Sequence, residues 1–195
     1  MIFFATSNLH KFQEAKEIFR IHGIEIKQVN VRYTELQSDK LENIVKYGCD
    51  YSVNITKGPT IVEDSGLFIE ALNGFPGPYS SYVFKKIGNK GLLKLLNGVQ
   101  NRSAKFKSVI GYCKTGEKVI TFAGKVRGKI ANEVKGKFGF GFDPIFIPKD
   151  GDGRTFGEMQ LKEKNKLSHR RKAIENFLKW YLVQKNGKTA SKKKR

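Results

Sequence analysis

The sequence is poor in the residues that form disulfide bonds or bind transition metals. It has two cysteines, Cys49 and Cys113, and three histidines among 195 residues. The cysteines lack metal-ligand spacing and companion histidines, so we expect buried free thiols in a reducing cytoplasm. No apolar run approaches the length of a membrane span. Lys11 interrupts the apolar beginning of the chain too early for a signal peptide, which also favours a cytoplasmic protein.

Acidic residues are scarce as well. The 18 Asp and Glu residues face 37 Lys and Arg residues, which gives a net charge of +19. The last eleven residues hold six of the cations and no acid, so +13 remains on the rest of the chain. This balance favours anionic partners, either nucleic acid or nucleotides and other polyphosphates. Residues 184–195 are predicted to be a basic, disordered tail, and its contact with nucleic acid stays an open alternative.

Residues 1–183 are predicted to form a single domain. They contain no internal repeat and no domain linker, and they are long enough for one sizeable core or for two lobes that share it. A hydrophobic content of 39% with 15 Phe and 7 Tyr is typical of a folded globular protein.

A β-branched stretch that ends in two acids is the first candidate site. Residues 60–62 read as a strand, Glu63 and Asp64 follow, and the chain is then expected to turn at residues 65–66. Ligands collect at the carboxyl ends of strands in open α/β sheets. Since neighbouring strand residues face opposite ways, only one of the two acids should point into a site. We take Asp64, although simple turn chemistry would also explain an acid there.

The polar loop between the first strand and the first helix is a second candidate. Residues 1–5 read as a strand, and a helix that closes at Gly23 should follow. Strand, loop and helix in this order point backbone N–H groups and a helix dipole at an anion. Asn8 can brace the loop and Lys11 can reach a phosphate, but a capped turn with a surface lysine is an equal alternative. The expected buried face of the helix is formed by Phe12, Ala15, Ile18 and Phe19.

Further elements follow from periodicity and turn signals. Residues 24–31 read as a second strand, and a helix should begin near Ser38 or Asp39, where Asp39 and Glu42 fit a capping box. Two short helices broken near Gly88 come next, and residues 102–113 and 118–126 predict a hairpin.

Two stretches near the end of the chain also suggest ligand contacts. In residues 136–144 three phenylalanines alternate with glycines, so their rings would share one side of an extended strand and could stack on a nucleobase. Core packing of the rings is an equal alternative. Ser168 is a plausible N-cap, which puts His169 and Arg170 in a first helical turn. Cations oppose the helix dipole there, which indicates an anionic or acceptor-rich ligand.

Together these stretches resemble the inosine triphosphatase family, the Ham1-like noncanonical purine NTP pyrophosphatases. The resemblance spans about residues 1 to 182 and rests on four motifs in order. They are Thr6-Ser7-Asn8-x-x-Lys11, Glu63-Asp64-Ser65-Gly66-Leu67 with Gly74-x-Pro76-Gly77-x-Tyr79-Ser80, Phe140-Gly141-Phe142-Asp143-Pro144, and Lys164 with Ser168-His169-Arg170.

The resemblance implies an α/β fold, with an elongated, twisted mixed β-sheet flanked by helices and two lobes around an active-site cleft. It also implies a homodimer and Mg²⁺-dependent hydrolysis of ITP, dITP and XTP to the monophosphate and pyrophosphate. This activity would remove deaminated purines from the nucleotide pool.

The resemblance further implies a role for each matched residue. Glu35 and Asp64 would bind the metal, and Asp64 would also accept a proton from the attacking water. Ser65 and Lys164 would contact the substrate, whereas His169 and Arg170 would read the base. The triphosphate would be held by Thr6, Ser7, Asn8, Leu9, His10 and Lys11. The base pocket would be lined by Phe140, Gly141, Phe142 and Asp143.

The chain departs from the family pattern at two positions, and two other functions would also fit its sequence. Phe142 stands where the family often has Tyr or Trp, and Gly157 replaces a usual Ala. The first rival is a basic nucleic-acid-binding module, which the net charge alone would also fit. The second is a pyrophosphatase of other modified or standard NTPs, against which only His169 and Arg170 argue.

Overall fold

The computed structural model describes residues 1–34 and 36–192, with side chains up to residue 185. Glu35, the second predicted metal ligand, therefore lies outside the described residues. The strands are β1 (Ile2–Ala5), β2 (Ile26–Val29), β3 (Thr60–Ile69), β4 (Pro76–Gly77), β5 (Ser103–Cys113), β6 (Ile120–Ile130) and β7 (Phe146–Pro148). The helices are α1 (Leu9–Ile21), α2 (Leu41–Thr56), α3 (Ser80–Leu95), α4 (Leu161–Leu167) and α5 (His169–Lys192).

The strands form one open mixed sheet in the order β2-β1-β3-β5-β6-β7, with β4 paired to β3 off this path. The pairs β1–β2 and β1–β3 are parallel, whereas β3, β5, β6 and β7 pair in antiparallel fashion. Helices flank the sheet, so the predicted α/β class with a mixed sheet is confirmed. Among the described residues, no helix has the length and apolar character needed to cross a bilayer.

Separate hydrophobic clusters fill the two ends of the sheet. At the parallel end, α1 and α5 bury residues such as Phe19 and Phe177 on one face, and α2 packs Val45 and Cys49 on the other. At the antiparallel end, rings such as Phe106 and Phe146 form a third cluster with α3. The sheet thus carries two lobes, with β3 running through both of them.

Local sequence signals account for many of the boundaries. The amide of Gly23 donates to the Arg20 carbonyl, and its φ of 64° fits glycine, so α1 closes as predicted. Gly88 breaks the helical geometry inside α3, as predicted. The predicted hairpin is confirmed as β5 and β6, and both cysteines are buried free thiols.

Three sequence-based expectations are wrong. The chain does not turn at residues 65–66, because β3 continues to Ile69 with β5 paired along its whole length. The helix α2 begins at Leu41 with Lys40 as its N-cap, so the capping box of Asp39 and Glu42 does not form. Residues 136–142 are not an extended strand, since Gly139 and Gly141 have positive φ values and turn the chain.

The end of α5 also differs from the simplest expectation. This helix continues to Lys192, past residue 183 where the sequence places the domain boundary. The division into a domain and a basic tail stays a prediction.

A close backbone approach fixes the first turn of α5 against β6. A Cβ added at Gly124 would collide with backbone atoms of His169 and Ala173. The glycine therefore lets the helix lie directly on the strand, and this contact places His169 and Arg170 over the middle of the sheet.

Gly124→Ala is expected to destabilise the protein by about 1–3 kcal/mol, the usual cost of overpacking. Since α5 would have to move away from β6, the melting temperature of the protein should fall by several degrees in calorimetry. Lys125→Ala is the matched control, because Lys125 is the next residue of β6 and is exposed. Equal melting temperatures for Gly124→Ala and the unmodified protein would contradict this account of the contact.

Candidate active site

The site forms where one edge of β3 has no strand beside it. On that edge β1 pairs with β3 as far as Val62, and β4 takes over at Leu67. Of the described strands, none pairs on this edge with the four residues between them, Glu63 to Gly66. The opposite edge is covered throughout by β5. Along this gap, the backbone groups of β3 are therefore not paired with any described strand on this edge. Consecutive side chains of β3 point to opposite faces of the sheet there.

Lys11, in the first turn of α1, fills this opening. Its Nζ lies 3.2 Å from the Glu63 carbonyl oxygen, 3.1 Å from Glu63 Oε2 and 3.3 Å from Asp64 Oδ1. Burial would lower the pKa of Lys11, but the charges of Glu63 and Asp64 outweigh it and raise the pKa. The two acids do face opposite ways, as alternation requires. One ammonium nevertheless contacts both acids through the gap. That Asp64 alone is the functional acid stays a prediction.

Asp64 keeps access to solvent. Its side chain is 24% exposed, whereas that of Glu63 is 1% exposed. Burial raises the pKa of Asp64, and nearby Glu63 adds to this increase while Lys11 opposes it. A solvent-accessible carboxylate with a raised pKa is suited to accept a proton.

Glu63 faces the opposite side of the sheet and is held there by a buried cation. Ser108 donates to Glu63 Oε1 at 2.6 Å, and Arg170 Nε donates to the same oxygen at 3.2 Å. Burial would raise the pKa of Glu63, but the charges of Arg170 and Lys11 lower it to about 2. Arg170 also donates to Ser65 Oγ at 3.0 Å.

Glu14 of α1 links the remaining cations into one network. It accepts from Arg170 Nη1 and, at 2.6 Å, from Lys164 Nζ. Lys164 also lies 2.7 Å from Asp143 Oδ2. All of these side chains are almost completely buried. The network therefore ties α1, α4 and α5 to the turn at residues 139–143.

Phe140 covers this network on the side that faces His10. Its backbone amide donates to Asp143 Oδ2 at 2.8 Å, and its ring stacks on His10 with 5.2 Å between centroids. The cations of Lys164 and Arg170 lie 4.9 and 5.5 Å from the centre of the same ring. Phe140 thus meets the N-terminal loop and both buried cations at one point.

His169 is buried beneath the site. Its ring stacks on Phe106 with centroids 4.6 Å apart, and its Nδ1 has no hydrogen-bond partner among the described residues. Burial, helped by the charges of Arg170 and Lys164, lowers the pKa of His169 well below its usual range. The imidazole is therefore neutral near pH 7.

The predicted phosphate loop has the expected local geometry. Asn8 is the N-cap of α1, and its side chain accepts from the Lys11 amide at 3.1 Å. The Asn8 amide in turn donates to Thr6 Oγ1. Ser7, Leu9 and His10 are exposed around this turn. The loop lies between the end of β1 and the gap in β3.

Not all of the predicted site residues lie around the gap in β3. Phe142 is 2% exposed and packs edge-on against Phe84 in the hydrophobic core, away from Phe140. The Gly141 carbonyl accepts from the Asn89 side chain at 3.2 Å. The positive φ values of Gly139 and Gly141 explain the difference, because they direct alternate rings to different sides of the turn.

Among the described residues, no group of three or more His, Cys, Asp and Glu side chains is arranged to hold a metal ion. Asp64 nevertheless fits one Mg²⁺ ligand, since Mg²⁺ takes hard oxygen donors and is usually held by one or two carboxylates together with substrate phosphates. The exposure of its carboxylate at the gap permits such a contact.

Comparison with known proteins identifies the family. The model of the Ham1 family matches residues 2–180. The chain belongs to the Ham1 family. A protein of Methanopyrus kandleri named dITP/XTP pyrophosphatase is 57% identical over 180 residues, which cover 92% of this chain and 95% of that protein. A protein of Thermococcus kodakarensis with the same name is 52% identical over 177 residues, covering 91% and 95%.

Solved structures of Ham1 proteins share the fold. The Staphylococcus aureus Ham1 protein superposes with a TM-score of 0.80 at 29% identity, covering 94% of this chain and 98% of its own. A HAM1 protein from Coxiella burnetii gives a TM-score of 0.78 at 32% identity, again covering 94% and 98%.

Sequence reasoning missed Glu14, the acid that pairs with both buried cations, Lys164 and Arg170. Both cations are about 150 residues away from Glu14 in the chain. One signal was present: Glu14 falls within the helical spacing of Lys11, Ala15 and Ile18 and so lies on the buried face of α1. An acid on an apolar face indicates a buried partner.

Glu14→Gln is expected to lower the free energy of unfolding by about 3–5 kcal/mol at pH 7, because it leaves buried cations without their shared partner. Burial would raise the pKa of Glu14, but Arg170 and Lys164 lower it to about 2 from 4.5. Ionised Glu14 therefore stabilises the fold above about pH 4.5, and this stabilisation is lost as the pH falls towards 2. The titratable and charged groups that face it are Lys164, His169, Arg170 and Asp143.

Urea unfolding at pH 7 and at decreasing pH measures both effects. The difference between Glu14→Gln and the unmodified protein should shrink below pH 4.5. Glu17→Gln is the control, since Glu17 lies on the same helix and accepts from the Asn165 amide group rather than from a cation. A difference that stays constant down to pH 3 would contradict the role given to the Glu14 charge.

Proposed function

We propose that this chain is a Mg²⁺-dependent nucleoside-triphosphate pyrophosphatase that hydrolyses ITP, dITP and XTP to the monophosphate and pyrophosphate. The observation that carries the proposal is the gap in β3, where Lys11 and Asp64 meet beside the phosphate loop. The names of the Methanopyrus and Thermococcus relatives agree with this substrate class. Removing deaminated purine nucleotides from the nucleotide pool is the corresponding cellular role.

Binding of the triphosphate is assigned to the loop Thr6 to Lys11. Backbone N–H groups at the start of α1 and the Lys11 ammonium are suited to phosphate oxygens. Lys11 lies in contact with Asp64, so a phosphate bound by the lysine would be brought next to the carboxylate.

Water attack is assigned to Asp64. Its carboxylate would accept a proton from the water that adds across the anhydride between the α and β phosphates, and the raised pKa brings it closer to the working pH. Asp64 and Glu35 would hold the Mg²⁺, which when bound would neutralise charge on the phosphate oxygens. Lys11 would offset the charge that develops on the pyrophosphate.

Base selection is assigned to Phe140 and Arg170, together with His169, which lies beneath them. Phe140 offers a ring for stacking, and Arg170 has five N–H groups, of which three already donate to protein acceptors. At most two N–H groups of Arg170 therefore remain to donate to the O6 acceptor that hypoxanthine and xanthine share. Adenine presents an amino donor at this position, so it would leave buried donors unpaired.

The proposal also covers the oligomeric state and the cellular location of the protein. A homodimer in the cytoplasm is what the family resemblance implies, and the two buried free thiols are compatible with a reducing compartment.

The direct test is pyrophosphate release from ITP, XTP, GTP, ATP and dUTP, with Mg²⁺ and with EDTA. We expect Mg²⁺-dependent turnover of ITP and XTP about a hundredfold above that of ATP, which lacks the O6 acceptor, and of GTP, which shares O6 and would have to be rejected through its 2-amino group. Asp64→Asn should fold normally by circular dichroism and lose nearly all turnover, because the amide cannot accept the proton. Asp152→Asn is the matched control, since Asp152 lies on the exposed surface.

Each contrary result has a defined meaning. Equal rates for all five nucleotides would overturn the base-reading role of His169 and Arg170. Full turnover by Asp64→Asn would remove this residue as base and metal ligand. Absence of hydrolysis with every nucleotide would overturn the proposed activity.

A further inference from the structure

The cations around the gap differ in their freedom to move. Lys164 and Arg170 are 1–2% exposed and are held by buried carboxylates, so removing them from their partners would be costly. Lys107 is different: its Nζ lies 2.6 Å from Glu42 Oε1, but the two side chains are 28% and 34% exposed. A pair with this exposure contributes about 0–1 kcal/mol. Lys107 can therefore exchange its partner at little cost.

Lys107 lies on the same face of the sheet as Asp64. In the ladder between β3 and β5, Asp64 is opposite Val109, and Lys107 is opposite Gly66. Asp64 and Lys107 are therefore diagonal neighbours, with Cα atoms about 7–8 Å apart. The α2 residues Val45 and Cys49 cover Val109 on this face, so α2 leaves Lys107 at the border of the covered region.

The start of α2 adds a second feature that favours an anion. The ion pair places Lys107 next to Glu42, in the first turn of α2. The N-cap, Lys40, makes no side-chain capping bond to the helix. The positive end of a 16-residue helix thus lies beside Lys107, on the side of the sheet where Asp64 is exposed.

We propose that Lys107 is a second phosphate-binding residue, which leaves Glu42 and contacts the terminal phosphates of the substrate and the pyrophosphate product. The inference rests on the proposed function and extends it: Lys11 holds the triphosphate at the gap in β3, and Lys107 binds its far end on the Asp64 face. The base and the α phosphate are held elsewhere, so Lys107 discriminates triphosphate and pyrophosphate from monophosphate.

Lys107→Met tests this role, because methionine keeps much of the length of the side chain and removes the charge. Binding of inorganic pyrophosphate and of IMP by the purified full chain is measured by calorimetry with Mg²⁺, and the KM for ITP is measured beside it. We expect Lys107→Met to weaken pyrophosphate binding and to raise the KM for ITP roughly tenfold, the effect of one charge-assisted hydrogen bond. Binding of IMP should change less than about twofold, and Lys107→Arg should restore most of the loss.

Lys125→Met is the matched control. Lys125 is directly opposite Lys107 on β6, on the same face, but one strand further from Asp64. The Lys125→Met substitution should leave pyrophosphate binding, IMP binding and the KM for ITP unchanged. Equal losses for Lys107→Met and Lys125→Met would overturn the specific role of Lys107 and leave only a general effect of surface charge.

Two further outcomes separate this inference from the proposed function. Normal turnover of ITP with unchanged pyrophosphate binding in Lys107→Met would overturn the inference and leave the proposed function intact. Failure of the unmodified chain to hydrolyse any nucleotide would overturn the proposed function, whereas selective loss of pyrophosphate binding in Lys107→Met would still support the phosphate site.

Discussion

The open edge of β3 is the constraint on which the rest of the site depends. A fully paired strand would present Glu63 and Asp64 to opposite faces with a continuous sheet between them. Because β1 ends beside Val62 and β4 begins at Leu67, Lys11 can enter the sheet between them. The ammonium contacts the backbone and both carboxylates, and the two faces of the sheet become parts of one site.

The two faces contribute different properties. On the Glu63 face, a buried network with Arg170, Lys164 and Glu14 fixes the positions of three helices. Buried ion pairs of this kind are poor sources of net stability, but they penalise any arrangement that separates the charges. On the Asp64 face, side chains keep contact with solvent and can change partners. In the proposed function, the first face positions the site and the second face performs the chemistry.

The sequence predicted the individual parts of the site better than their arrangement. The geometry of the N-terminal loop, the N-cap at Ser168 and the opposite directions of Glu63 and Asp64 follow from local patterns, because capping and alternation depend on residues close in the chain. The contacts of Glu14 and Lys107 depend on partners brought together by the fold, and no local spacing contains them. The turn expected at residues 65–66 failed for a related reason. Pairing with β5 holds the strand extended through Gly66, whose lack of a side chain permits close approach to Gly77.

The most direct test of the account is a pair of double-mutant cycles on the free energy of unfolding, one for Lys11 with Glu63 and one for Lys11 with Asp64. Lys11→Met, Glu63→Gln and Asp64→Asn supply the single variants, and urea unfolding at pH 7 supplies the energies. Because one ammonium contacts both carboxylates, both cycles should give coupling energies of about 0.5–3 kcal/mol. Coupling of Lys11 to only one of the two acids would contradict the claim that the gap in β3 joins both faces into one site.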